Sequence, residues 1–206
     1  FAFIAGDAWK VLQPHQSQDV GEVNGETISA QDFQALVEEY TEVVKFSSGM
    51  NALSDEQTNQ IKDEVWRAYV NNKLIENEAE KLGLTVSKAE LQAIIDAGAH
   101  PMLQQTPFRN PQTGAFDKDM LKKFLVDYSK MNKAQMPAQY AEYYESMYNF
   151  WAFVEKSLIQ ARLQEKYQAL ITKSLFSNPV EAEDAFNARV DQSDLLLAAV
   201  PYSSIV

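Results

Sequence analysis

Residues Asp19–Tyr40, DVGEVNGETISAQDFQALVEEY, set a strand, a tight turn, a helix cap and an amphipathic helix end to end. Val20, Val23 and Ile28 suit a pleated, half-buried surface. Asn24-Gly25 is the dipeptide that supplies the positive φ angles of a tight reverse turn. Ser29 offers a side-chain oxygen to cap a helix, and acidic Asp32 three residues on makes an imperfect capping box. Phe33, Leu36, Val37, Tyr40, Val43 and Val44 then recur at helical spacing. The stretch therefore predicts a strand that feeds directly into a helix.

Helical signals dominate the rest of the chain. Ser54 with Gln57 forms a capping box that opens a helix running to about Leu82, with Ile61, Val65, Tyr69, Leu74 and Ile75 as its apolar face and Trp66 alongside. Gly83 is placed to end it in the left-handed conformation. Ser87 with Glu90 makes a third box, before Leu91, Ile94 and Ile95. Gly98, Pro101, Pro107, Pro111 and Gly114 mark loop up to Phe116, and Asp117 caps a helix carrying Met120, Leu121, Phe124, Leu125 and Tyr128. From Pro137 to about Phe176 no Gly or Pro interrupts a helical pattern, a reach of roughly 60 Å if unbroken. Ser177-Asn178-Pro179 stops it and a short acidic helix, Val180–Arg189, follows. Leu195–Val200, closed by Pro201, reads as a strand. A lone strand leaves its backbone groups unpaired, so Val20–Ile28 is expected to pair with Leu195–Val200 in a small sheet built from the two ends of the chain.

Bulk properties exclude several function classes. The 206 residues carry a formal net charge of −11, which repels a phosphate backbone and argues against a nucleic-acid partner. The absence of cysteine removes disulfide scaffolds, thiolate metal sites and cysteine nucleophiles. The only histidines, His15 and His100, each lie near a proline with no metal-ligand spacing around them. No phosphate-cradling glycine loop and no nucleophile elbow is present. Glu38-Glu39 and Asp55-Glu56 sit in charge-rich helical contexts, where solvation and helix-start electrostatics account for them. No catalytic residue, cofactor or metal is expected.

Several stretches together resemble the chaperone domain of the SurA-like and PpiD-like periplasmic folding factors, a family that usually also carries a parvulin-type prolyl isomerase domain. Val20, Val23, Asn24, Gly25, Ile28, Ser29 and Phe33 match its opening pattern V-x-x-V-N-G-x-x-I-(S/T) with an aromatic residue in the next helix. Leu74–Ala79 with Lys81–Ser87 is similar to the family's LI-x-x-x-L-A-x-x-x-G-(I/L)-x-V-(S/T) segment, Glu78 standing where an apolar residue is commoner. Pro107-Phe108 and Gly114–Asp117 resemble the P-F and G-x-F-D insert of the PpiD-like branch, and Asp194–Val206 resembles the strand and linker before the isomerase domain. The resemblance implies a mainly α, SurA-N-like helical chaperone domain over residues 19–206, with the parvulin domain expected after residue 206 of a longer parent. This chain lacks the parvulin signatures and is not expected to isomerise prolines. The apolar start, Phe1–Gly6, is too short for the about 20 residues a bilayer requires. It reads either as an end packed on the core or, as the resemblance favours, as the remnant of a single membrane anchor. Asp7–Gln18, with Trp9, is then a juxtamembrane connection on the periplasmic side of the bacterial inner membrane.

What remains is aromatic and methionine surface. Tyr140, Tyr144, Met147, Trp151 and Val154 form one helical face, while Tyr143, Phe150 and Phe153 fall off it, so the helix is apolar nearly all round. It is either a central core helix or a groove wall where methionine supplies adaptable and tyrosine rigid contact; both hold if its faces differ. Met102, Leu103, Pro107 and Phe108 pose the same choice for the loop, tucked in or a flap over the groove. The favoured function is a non-enzymatic chaperone module that binds unfolded or newly translocated periplasmic and outer-membrane polypeptides, near the translocation machinery. Tyr140, Tyr144, Met147 and Trp151 are its expected peptide contacts, with Phe108 as a lid. The alternative is a scaffold or oligomerisation domain that positions the isomerase.

Overall fold

The computed structural model describes residues 19–132, 135–174, 178–190, 194, 196–199 and 201–202. Strands β1 (Asp19–Val23) and β2 (Glu26–Ser29) lead into helices α1 (Ala30–Ser48), α2 (Asp55–Lys81), α3 (Lys88–Ala97), α4 (Pro101–Gln104), α5 (Lys118–Ser129), α6 (Ala138–Ser174) and α7 (Pro179–Val190). The fold is mainly α with one small antiparallel sheet, as the sequence indicates. The chain divides into two compact units that part after Gln168.

The sheet's membership is a correction. Its two strands are β1 and β2, paired with each other, Val23 opposite Glu26 and Gly21 opposite Ile28. Asn24 and Gly25 take φ of 53° and 84°, so the turn folds the chain straight back and the backbone finds its partner locally. Leu196–Ala199 has no regular secondary structure, and Leu196 and Leu197 are exposed. Leu195 and Val200, the ends of the expected strand, lie outside the described residues, as do Phe1–Gly6, Asp7–Gln18 and His15. The hairpin sits tightly on α2. A Cβ at Gly21 would stand 2.3 Å from the Trp66 ring, so only glycine allows that approach.

The caps start the helices where the sequence places them. Ser29 Oγ accepts from the Asp32 amide at 3.1 Å and donates to the Asp32 carboxylate at 2.8 Å. Ser54 and Gln57 complete both halves of their box, at 3.2 and 2.9 Å. Gly83, just past α2, adopts φ 67°. Ser87 accepts from the Glu90 amide at 3.1 Å, but the Glu90 carboxylate leaves the cap for Arg162 and Lys166 on α6.

The proline-rich loop is more ordered than its composition suggests. Pro101 occupies the first turn of α4, and His100 Nδ1 accepts from the Met102 amide at 3.3 Å. Leu103, Thr106 and Phe108 are buried, so the loop tucks in. Leu103 and Phe108 join Val43, Leu91, Ile95, Leu121 and Phe124 around the stripe Phe150, Trp151, Val154 and Leu158 of α6. A second, smaller cluster of Val37, Ile61 and Val65 joins α1 to α2. α6 runs 37 residues, about 55 Å, close to the predicted reach.

Candidate functional site

Where α1, α2 and α6 diverge, beside the smaller core cluster, an open groove of about 610 Å³ remains. α1 contributes Leu36, Glu39 and Tyr40. α2 contributes one face, with Glu64, Val65, Ala68, Tyr69, Lys73 and Glu76 at helical spacing. From α6 come Phe153, Lys156, Ser157, Gln160, Ala161 and Gln164, and from α4 the single residue Met102. The space exists because Ala68, Ser157 and Ala161 are small where neighbouring turns carry larger side chains. The volume falls in the range of ordinary ligand clefts.

The floor is apolar, with Leu36, Tyr69, Met102 and Phe153 half-buried along it over buried Val65, and Phe153 packs on Tyr40 at 5.6 Å between ring centres. The rim is polar and bridges the three helices. Lys156 on α6 pairs with Glu39 on α1 at 3.0 Å. The Tyr40 hydroxyl donates to Glu64 on α2 at 3.1 Å. Burial, then the Glu64 carboxylate, raises the Tyr40 hydroxyl above the ordinary tyrosine pKa, so it remains a donor. Gln160 Nε2 donates to Glu76, while Gln160 Oε1 is buried without a partner. Lys73, at the edge of the groove, pairs with Glu26 on β2 at 2.6 Å.

The residues expected to contact peptide lie elsewhere on α6 and in the core. Tyr140 is 53% exposed, beside exposed Tyr143 and Tyr148. Tyr144 is half-buried and stacks on Phe124 at 6.0 Å; Met147 is half-buried against the larger core. Trp151 and Phe108 are each only 3% exposed and meet edge-on at 6.0 Å. The structure thus brings Tyr144, Phe124, Phe108 and Trp151 into one aromatic chain, but two of the five expected contacts are core. Phe108 is inside because the loop folds back and its carbonyl accepts from the Asp117 amide at 2.8 Å.

The groove was not legible as a site. Tyr69 and Val65 read as an ordinary core face, and Phe153 as a residue off the main stripe. The available signal was the run of small or neutral residues at Phe153-plus-four spacing, Ser157 and Ala161, which keeps one side of a crowded helix thin. Chemically the arrangement suits binding. Among the described residues no group of histidine and carboxylate side chains could hold a metal, and no helix is long and apolar enough to cross a membrane.

No curated protein and no solved structure matches the chain. A family match does exist: the SurA-like N-terminal domain aligns with residues 1–125, from before the hairpin into α5. The aromatic helix and the chain end lie beyond the matched residues. With well over half its length matched, the chain belongs to the SurA-like N-terminal domain family, a non-catalytic, chaperone-type module of folding factors.

Proposed function

We propose that this chain is a chaperone module that holds unfolded or newly translocated polypeptide segments in the groove between α1, α2 and α6. The observation that carries the reading is the groove itself: an apolar floor, open to solvent, in a domain of a folding-factor family. Tyr69, Met102 and Phe153 give it adaptable and rigid apolar contacts together, which suits many sequences rather than one. The acidic surface keeps such a protein soluble while apolar area stays open. The sequence resemblance further supports a parent with a parvulin domain, tethered at the periplasmic side of the inner membrane and working beside the translocation machinery.

A second surface has its own support. Tyr140, Tyr143 and Tyr148 stand exposed on one end of α6, with Tyr144 and Met147 beneath, and offer either an additional client contact or a face for self-association.

The test is titration of the full chain and its Ala68→Trp variant with a fluorescently labelled unfolded outer-membrane-type polypeptide. Ala68 is exposed on α2 and lines the groove, so the indole fills the cleft without entering the core. Binding is expected to weaken by at least about tenfold, about 1.4 kcal/mol, with the fold unchanged by circular dichroism. Unaltered binding, with NMR shifts centred on Tyr140, Tyr144 and Met147, moves the client to the tyrosine face.

A further inference from the structure

We infer that the groove selects segments in which apolar side chains are bounded by two basic residues, the cations seating on Glu64 and Glu76. The inference rests on the peptide-binding reading above and adds the chemistry of the preferred client.

The two carboxylates of the groove lack a cation. Both lysines at the groove already have carboxylate partners, Lys156 with Glu39 at 3.0 Å and Lys73 with Glu26 at 2.6 Å. Glu64 and Glu76 are in no ion pair among the described residues. Among the described residues Glu64 accepts only from the neutral Tyr40 hydroxyl, and Glu76 only from the neutral Gln160 amide. Lys73 lies near enough to Glu76 to feel its charge but gives its hydrogen bond to Glu26. A carboxylate offers about four acceptor sites, so each keeps most of its capacity.

An occupant that fits must therefore be rich in donors and apolar in the middle. A polypeptide segment meets both demands. Its apolar side chains cover Tyr69, Met102 and Phe153, and lysine or arginine answers the carboxylates. Geometry sets the spacing. Glu64 and Glu76 are twelve positions apart on α2, about 18 Å along the axis. An extended chain covers that distance in about five to six residues at ~3.3 Å each.

The experiment uses the full chain and three fluorescently labelled peptides with one shared apolar centre of five residues, bounded by Lys, Gln or Glu. Titrations run near 0.15 M salt, where attraction beyond about 8 Å is screened. The Lys peptide is expected to bind about tenfold tighter than the Gln peptide, and the Glu peptide weakest. Glu64→Gln and Glu76→Gln each retain an acceptor for Tyr40 or Gln160. Each should weaken the Lys peptide about threefold, the order of a partly exposed ion pair, and leave the Gln peptide unchanged. Three peptides of equal affinity would overturn the charge selection and leave the peptide-binding reading standing. No binding by any of them would overturn both. A Lys preference undiminished in the folded double variant would place it in the overall charge of the chain and overturn the assignment to this groove.

Discussion

Trp151 and Tyr140 lie on the same helix and share one apolar stripe in the sequence, yet they live in different environments. Trp151 is 3% exposed and packs edge-on against Phe108 at 6.0 Å, whereas Tyr140 is 53% exposed. Trp151→Ala should leave a cavity in the larger core and cost about 3–5 kcal/mol in urea unfolding. Tyr140→Ala should change stability by less than about 0.5 kcal/mol. Equal effects of the two would show that the aromatic stripe is not divided between core and surface as described. The stripe is legible from spacing, but its division is not, because spacing cannot say how many neighbours surround a helix. The stripe Phe150, Trp151, Val154 and Leu158 of α6 is covered by α1, α3, α5 and the folded-back loop, whereas Ala152 and Lys156 stay exposed. Tyr140 and Trp151 are therefore alike in spacing although only Tyr140 faces water. Conversely, Phe153 reads as a stray aromatic residue, yet it opens toward the groove, since the residues one and two turns on, Ser157 and Ala161, are too small to close it.

Element boundaries followed the caps closely, because a cap is a local device whose partners are three residues apart. Ser29, Ser54, Ser87 and Asp117 all stand at the N-caps of their helices. The C-terminal strand fails for the matching reason. Leu195–Val200 is a continuous apolar run without a period, and such a run fixes neither conformation nor partner. The Asn24-Gly25 turn meanwhile supplies β1 with a partner at once, so the hairpin needs no distant strand. Glu90 is where local and tertiary demands compete. Its carboxylate leaves the cap of α3 and meets Arg162 at 2.7 Å and Lys166 at 3.1 Å, joining α3 to α6. Arg162 first and Lys166 second hold its carboxyl below the usual glutamate range. A depressed folded-state pKa contributes stability above the unfolded-state pKa and loses it as pH falls through the folded value. The wild type should therefore exceed Glu90→Gln in thermal midpoint at neutral pH. That advantage should hold down to ~pH 5, then shrink and vanish in stronger acid, where both side chains are neutral. A pH-independent difference would mean that Glu90 stabilises by packing alone.

Across the whole chain, the groove works inside the field of a strongly acidic protein, and the two contributions are separable. The net charge of −11 acts at a distance and speeds the encounter with a basic segment, whereas Glu64 and Glu76 act only after contact. Changing both to Gln removes only two negative charges from a net of −11, so most of the long-range field survives. Stopped-flow association of the Lys-bounded peptide should thus slow steeply as salt rises from about 0.02 to 0.3 M, in wild type and double variant alike. Dissociation should behave differently. It should be about tenfold faster in the double variant, because the lost contacts are short-range and lie within the bound complex. A double variant that loses the salt dependence of association while keeping the wild-type dissociation rate would reverse these roles. The two carboxylates would then be the local focus of the field, and the apolar floor would alone hold the bound segment.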